Sequence, residues 1–582
     1  MLEKVLPWAK YLFFNFDNYL IVGLVLLLII IKYKPNLLIS KKVIALGNYL
    51  YQIFVKISET KTFRLLLIFF IINFIIRLIM AIPVPAIALD KIAPHYLDLA
   101  RSMYRGQGFT IAVIWNNFLQ DQTIIRPDFF RVPFYPLLIT LSYKIFGFNF
   151  LAAKLVNVIA GSLLPILAFL LGLILTKSKK IATLLLIFIS FNGLIISWVA
   201  FTYPEIVYCC LIILLLYLLY QTSTKINSHS FLVGVILALT YLTRTEGLLI
   251  LLPVILFFYF YQQDKKLFFR KLFLTFIGFL IVASPYLARN YIITKNPFYS
   301  DFDKIAMAAY VGHDRLIESP NAEYKDIYDL AWHNPYKTAE MAITKIIDGI
   351  KFTPQLLIGS YLITLLTLIG IFYVCKTERK KYYFIFILIL TGFLVPVLAI
   401  GFEDRYHIEL IIIFYLLAAL GILQLYEVKF KDDLAFKSIL MIYLFLFITL
   451  NFLGGVIKGS FALVPHNFYQ RFDEKGYFSG LEDFYSYVKN NTESTDVVMT
   501  SRRPYEVNYF TDRPTVTFPY ADADGVQEYI KKYQVKWIIW MGTPQKENDK
   551  YYRFWLPQEI PDNIKPVFKN TGADLFEVEY YK

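Results

Sequence analysis

Twelve apolar runs succeed one another before residue 458, at 18–32, 64–83, 150–175, 181–200, 204–221, 231–243, 247–262, 272–288, 355–374, 383–401, 408–426 and 438–457. A helical span needs roughly 20 apolar residues, and backbone polar groups inside a bilayer find partners only within helices or closed barrels. Runs of this length and number therefore require a polytopic α-helical membrane protein. Composition agrees: 57% of the 582 residues are hydrophobic and only 18% are charged, far from a soluble average.

The net charge of +14 would suit a nucleic-acid surface if the basic residues were spread over one. Instead they cluster in short connectors between apolar runs, where they act as topology signals. The connectors holding Lys41/Lys42, Lys177/Lys179/Lys180, Lys265/Lys266/Arg270/Lys271, Lys376/Arg379/Lys380/Lys381 and Lys429/Lys431 are all expected on the cytoplasmic side. No nucleic-acid partner is expected. This assignment holds only if the segment from Val132 to Phe146 does not cross the membrane. At about 15 residues, with Tyr135, Pro136, Tyr143 and Lys144 inside it, that segment suits a helix lying at the interface.

The polar segments 84–149, 201–205, 243–247, 285–354 and 402–407 then face outside, as does everything after about 458. Beyond that point short β-rich runs (VVMT, TVTF, KWIIWM, LFEVEY) alternate with polar helical runs, as expected of a small α/β domain. The first run follows acidic Glu3 and Asp17 and lacks a small-residue cleavage site, so it reads as a retained span rather than a signal peptide. Three units are expected: 1–63, an extra N-terminal transmembrane helix with a basic cytoplasmic linker; 64–457, the transmembrane catalytic domain; and 458–582, the extracytoplasmic α/β domain. None of the three cysteines is placed to staple that last domain.

Charge at the outer ends of the spans singles out the candidate site residues. Asp90 lies just beyond a span, between Pro85 and Pro94, where a partly desolvated carboxylate can serve as a general base. A solvated loop aspartate is the alternative. Asp98 lies on a helix expected over His95–Arg105, within reach of an intrahelical pair with Arg101. Arg126 and Arg131 flank Pro127 and precede Pro133, and Arg244, Arg289 and Arg405 sit at outer span ends. Guanidinium groups there either converge on a phosphate or snorkel to lipid headgroups. Glu205 opens a span after Thr202-Tyr203-Pro204; it either favours the helix N-terminus or binds a sugar hydroxyl, an amine or a metal beside Asp90. His95, His313 and His407 show no ligand spacing, so nothing supports a divalent metal.

Read in order, these elements resemble the GT-C membrane glycosyltransferases, in the branch of the protein O-mannosyltransferase-like proteins and the lipid A aminoarabinose transferase. The matching elements are Asp90, Tyr96-Leu97-x-Leu99-Ala100, Gly106-x-Gly108-Phe109, Arg131-x-Pro133-x-Tyr135-Pro136 and Phe146-Gly147, then Tyr203-Pro204-Glu205, Leu242-Thr243-Arg244-x-Glu246-Gly247, Pro285-x-x-x-Arg289-Asn290 and Arg405-Tyr406.

The resemblance covers about 60–460 and implies a GT-C fold of about 12 transmembrane helices, with interfacial helices in the first outer loop and a small C-terminal extracytoplasmic α/β domain. It implies transfer of a sugar from a polyprenyl-phosphate donor to a lipid, glycan or protein acceptor at the outer face of a bacterial or archaeal cell membrane. Asp90 would be the base, Glu205 the second acid, and Arg131, Arg244, Arg289 and Arg405, with Tyr96, Asp98 and Arg126, the substrate-binding set. No nucleotide or redox cofactor is called for. The sequence departs from the commonest pattern because Asp90 is followed by Lys91 rather than Glu and reaches Tyr96 only six positions later, which leaves Asp98 as the alternative base. A flippase of lipid-linked saccharides is the competing reading, although charges on one face rather than within paired broken spans favour an enzyme.

Overall fold

The computed structural model describes residues 41–82, 93–115, 123–222, 228–261, 264–302, 310, 327–377, 379–399, 401–429, 433–462, 477–501, 503–519, 521, 523–541, 562–569 and 573–579. The first apolar run lies outside these residues. Each of the other eleven coincides with helix. Six helices among the described residues are long and apolar enough to cross a membrane, and a seventh span is made by Lys179–Ser190 and Gly193–Val199, bent by 50°. Four of the shorter apolar helices, at 205–221, 229–243, 245–261 and 361–376, account for the remaining runs.

Local sequence explains where these helices start and stop. Asn149 caps Phe150–Thr176 by accepting a hydrogen bond from the Ala152 amide at 2.8 Å, and Ser178 caps Lys179–Ser190 in the same way. Between them Lys177 adopts a left-handed conformation (φ 56°), so the chain reverses in two residues. The helices Ser228–Thr243 and Lys265–Thr294 meet backbone to backbone. A Cβ at Gly234 would strike the Thr275 carbonyl, and one at Gly278 the Phe231 carbonyl. Small residues allow that approach where lipid offers no hydrophobic drive for association.

At the end of the bundle bearing the basic connectors, lysines close helix ends. Lys179 Nζ donates to the Thr60 carbonyl at 2.7 Å and Lys271 Nζ to the Thr222 carbonyl at 2.6 Å. The segment expected as a basic linker is instead largely helical, Lys41–Glu59, and packs on Leu434–Ala462 where Gly47 abuts Ser438. Tyr51 on the same helix stacks on Tyr426 at 5.0 Å.

The opposite end carries a helix Ala93–Tyr104, the helix Phe134–Phe146 and, between them, strands β1 (Thr110–Ile111), β2 (Val113–Ile114) and β3 (Arg126–Pro127). The C-terminal region supplies β4 (Val497–Thr500), β5 (Thr515–Thr517), β6 (Val535–Met541), β7 (Ile564–Lys569) and β8 (Ala573–Val578). The six-stranded sheet runs β2-β5-β4-β6-β8-β7; its first four strands are parallel and the hairpin β7-β8 antiparallel. Helix Ala523–Tyr533 packs Val526 and Ile530 against Met499 and Ile538, and helix Tyr477–Asn491 packs Leu481 and Val488 against Val498 and Ile539 on the other face. The strand β2 comes from the first polar loop. The sheet thus extends beyond the expected 458–582 unit and binds the two regions together.

Candidate active site

The polar residues that the sequence places at span ends converge around Tyr96, on the helix Ala93–Tyr104. Tyr96 lies within electrostatic reach of Arg131, Glu205, Arg244 and Tyr406, and burial foremost pushes its phenol up. Glu205 opens the helix Glu205–Gln221, and its Oε1 stands 3.3 Å from Arg244 Nη1. Its Oε2 is buried with no hydrogen-bond partner among the described residues. Arg244 marks the break between Ser228–Thr243 and the short turn Thr245–Ile250, where Gly247 N donates back to the Arg244 carbonyl at 2.9 Å. Its second nitrogen pairs with Glu246 at 3.0 Å, and its guanidinium lies over Tyr406 at 4.7 Å.

Each candidate arginine has its own surroundings. Arg405 Nε meets Glu403 at 2.6 Å, Nη2 donates to the Tyr406 hydroxyl at 2.9 Å, and the guanidinium faces Tyr203. Arg289 donates to the carbonyls of Phe109 at 3.2 Å and Asp128 at 3.0 Å and to Asn290 Oδ1, so it fastens the loop rather than presenting free donors. Arg126 is buried 3.7 Å from Asp301. Arg131 differs. It has no carboxylate within ion-pair distance among the described residues; its guanidinium rests on Phe130 at 4.1 Å and Tyr96 at 4.7 Å, with Nε 3.4 Å from His95 Nδ1. A half-buried guanidinium held flat on two rings keeps most of its donors for an anion.

Asp90 lies outside the described residues. Asp98, the other candidate base, is buried and its Oδ1 accepts from Arg101 Nη2 at 2.7 Å. Arg101 in turn donates to the Tyr509 carbonyl at 2.8 Å and to Asn508 Oδ1 at 2.7 Å. The aspartate therefore sits at the junction with the C-terminal domain, away from the cluster around Tyr96. Burial, only partly offset by Arg101, pushes its carboxyl up to about 8.

Asp128 and Glu409 escaped the sequence reading, as did the partner of His95. His95 and Asp128, 33 residues apart, are fully buried and joined at 3.0 Å between Nε2 and Oδ1. Burial drives the His95 ring down to about 4, against the opposing pull of Asp128, so it is neutral at physiological pH. Burial alone would raise Asp128; His95, Arg126 and the Arg131 amide outweigh it and hold the carboxyl low. Glu409, at the start of Ile408–Leu423, is also buried and lines a crevice with Arg244, Glu246, Tyr208 and Tyr406. The only advance sign of the pair was an acid set between Pro127 and two phenylalanines, directly before Arg131. No group of three or more His, Cys, Asp or Glu residues placed to hold a metal ion occurs among the described residues.

Helical bundle and loop helices together have the GT-C membrane fold. Residues 127–288 match the family model described as dolichyl-phosphate-mannose-protein mannosyltransferase. Among solved structures, the chain is similar to the archaeal oligosaccharyltransferase AglB from Archaeoglobus fulgidus in complex with an inhibitory peptide and a dolichol-phosphate. The TM-score is 0.56 at 13% identity, over 82% of this chain and 69% of that one. It is similar also to ArnT from Cupriavidus metallidurans bound to undecaprenyl phosphate, with a TM-score of 0.55 at 11% identity over 88% of this chain and 97% of that one. No curated protein matches the chain significantly in sequence.

Proposed function

We propose that this protein transfers a sugar from a polyprenyl-phosphate donor to a hydroxyl acceptor by single displacement, at the outer face of the membrane. The observation that carries the reading is Arg131, a guanidinium stacked on Tyr96 and Phe130 with its outer donors uncommitted, in the cluster around Tyr96 drawn from five separate chain segments. A phosphate leaving group needs its developing charge stabilised rather than a proton supplied, and preoriented guanidinium donors do this. Arg131 takes the phosphate first and Arg405 supports it; Arg244, already balanced by Glu205 and Glu246, holds the cluster together. The unpartnered Glu205 Oε2 accepts from a hydroxyl or amine of a substrate.

By the family resemblance, Asp90 is the base. Its carboxylate takes the acceptor proton, the acceptor oxygen forms a bond to the anomeric carbon, and the carbon–phosphate oxygen bond breaks with its electron pair leaving on the polyprenyl phosphate. The configuration at that carbon inverts.

Reconstituted protein supplied with a polyprenyl-phosphate sugar tests this. Arg131→Ala should lower turnover about 10²–10³-fold, the usual cost of losing one oxyanion donor, and Asp90→Asn should abolish it. Full activity in Asp90→Asn removes Asp90 as the base. Movement of the lipid across the membrane without sugar transfer would mark a flippase instead. Mass spectrometry of co-purified lipid identifies the donor class directly.

A further inference from the structure

We propose that the C-terminal domain positions the phosphate-binding guanidinium of Arg131 through a short chain of contacts, Tyr505 to His95 to Asp128. The inference rests on the assignment of Arg131 to the phosphate and gives Tyr505, from the C-terminal domain, a positioning role.

The chain begins in a pinned helix. Pro504–Thr511 starts at Arg503, which is left-handed (φ 55°) and pairs with buried Glu506 at 3.0 Å, while the Tyr485 hydroxyl donates to Glu506 at 3.0 Å. Tyr505, one residue into this helix, lays its ring on His95 at 4.1 Å with an interplanar angle of 11°. Its hydroxyl has no hydrogen-bond partner among the described residues, so the ring face makes the contact. The helix is held over the loop by Arg101 to Asn508 and Tyr509, and by Arg105 to Asp512 at 2.8 and 3.0 Å. Asn508 Nδ2 and Thr515 N both donate to the Ala112 carbonyl beside β2.

From His95 the chain passes to the site through a fixed tautomer. Ionised Asp128 is acceptor-only and accepts a hydrogen bond from Nε2–H at 3.0 Å, which leaves Nδ1 as an acceptor for Arg131 Nε. The other Asp128 oxygen accepts from the Arg131 backbone amide at 2.7 Å, and the Asp128 carbonyl accepts from Arg289. Arg131 is therefore fixed at its backbone by Asp128 and at Nε by His95, with both terminal nitrogens left over. A donor set held in advance by surrounding packing binds an anion without reordering a long side chain. Tyr505 acts on the ring plane of His95; among the described residues its hydroxyl makes no hydrogen bond to the site.

The test uses full-length protein in detergent and compares the affinity for undecaprenyl phosphate with that for undecaprenol, which lacks the phosphate. The ratio isolates the contribution of the headgroup, which a general loosening of the fold would leave unchanged. Arg131→Ala should collapse it. Tyr505→Leu and His95→Phe should each lower it about tenfold, and Tyr505→Phe, which keeps the ring face, should restore it. If His95→Phe does not fold, Tyr505→Met carries the same expectation, since it keeps bulk and loses the ring. A ratio unchanged in Tyr505→Leu or Tyr505→Met while Arg131→Ala loses it overturns the positioning role and leaves the phosphate assignment standing. A ratio unchanged in Arg131→Ala overturns the assignment beneath it.

Discussion

Arg244 should be the least replaceable side chain of the cluster, and for reasons of charge rather than substrate. It is buried with two carboxylates, Glu205 at 3.3 Å and Glu246 at 3.0 Å, and has no third acid at that distance among the described residues. Arg244→Met keeps the bulk but leaves buried Glu205 and partly buried Glu246 without their ion-pair cation, and stripping one partner from a buried pair costs about 3–5 kcal/mol. Glu205→Gln leaves Arg244 paired with Glu246 and forfeits one charged contact, about 1.5–3 kcal/mol. In the double variant only Glu246 remains uncompensated. Its loss should therefore fall short of the sum of the two single losses by at least about 1 kcal/mol, a coupling typical of contacting charges. Denaturant unfolding in detergent, followed by tryptophan fluorescence, measures all three. Equal destabilisation by the two single variants, or strict additivity in the double, would refute the view that Arg244 exists to neutralise this pair.

Two further outcomes follow from the same geometry. His95, at about 4 in the folded protein against an ordinary 6.5, contributes stability present above the unfolded value and lost as pH falls through 4. Taking 1.36 kcal/mol per pK unit, the full penalty is about 3 kcal/mol. Asp128, Arg126, Arg131, Tyr96 and Tyr505 surround the ring, and the two arginines oppose its protonation. Unfolding curves between pH 7 and 4 should show this acid limb, and it should flatten in His95→Phe. Gly278→Leu should cost upwards of about 2 kcal/mol, because its side chain meets the Phe231 carbonyl on a backbone that cannot step aside. It should also lower transfer activity by shifting Arg289 relative to Arg244; unchanged melting in detergent would count against the close helix contact.

The helices were legible because lipid makes length and hydropathy nearly sufficient. The same holds for β4, β5, β6 and β8, whose sequences VVMT, TVTF, KWIIWM and LFEVEY alternate or run apolar between turn residues, and for the helix at Phe134–Phe146. The strand β2 was not legible. Two residues, Val113 and Ile114, carry no strand pattern, and what makes them a strand is a partner 402 positions along the chain, at Thr515 and Val516. At the site, proline and charge marked Glu205, Arg131, Arg244 and Arg405; the structure gathers the first three near Tyr96 and sets Arg405 against Tyr203 and Tyr406. Which of them retains free donors depends on Glu246, Glu403 and the loop carbonyls facing Arg289, and no spacing encodes those encounters. The His95–Asp128 pair was hidden for the same reason: nothing in the sequence links a histidine at a helix start to an aspartate 33 residues on.

The pairing of β2 with β5 also sets an order of assembly. Val113 and Ile114 are synthesised some 400 residues before the strand they lie beside, so the loop that carries Tyr96 and Arg131 waits for nearly the whole chain. Contacts of such long sequence separation form late and slowly. A chain interrupted before residue 515 would possess most of its spans and its site arginines yet lack the strand that orders the loop between them. Synthesis must therefore reach β5 before that loop can take its place in the sheet.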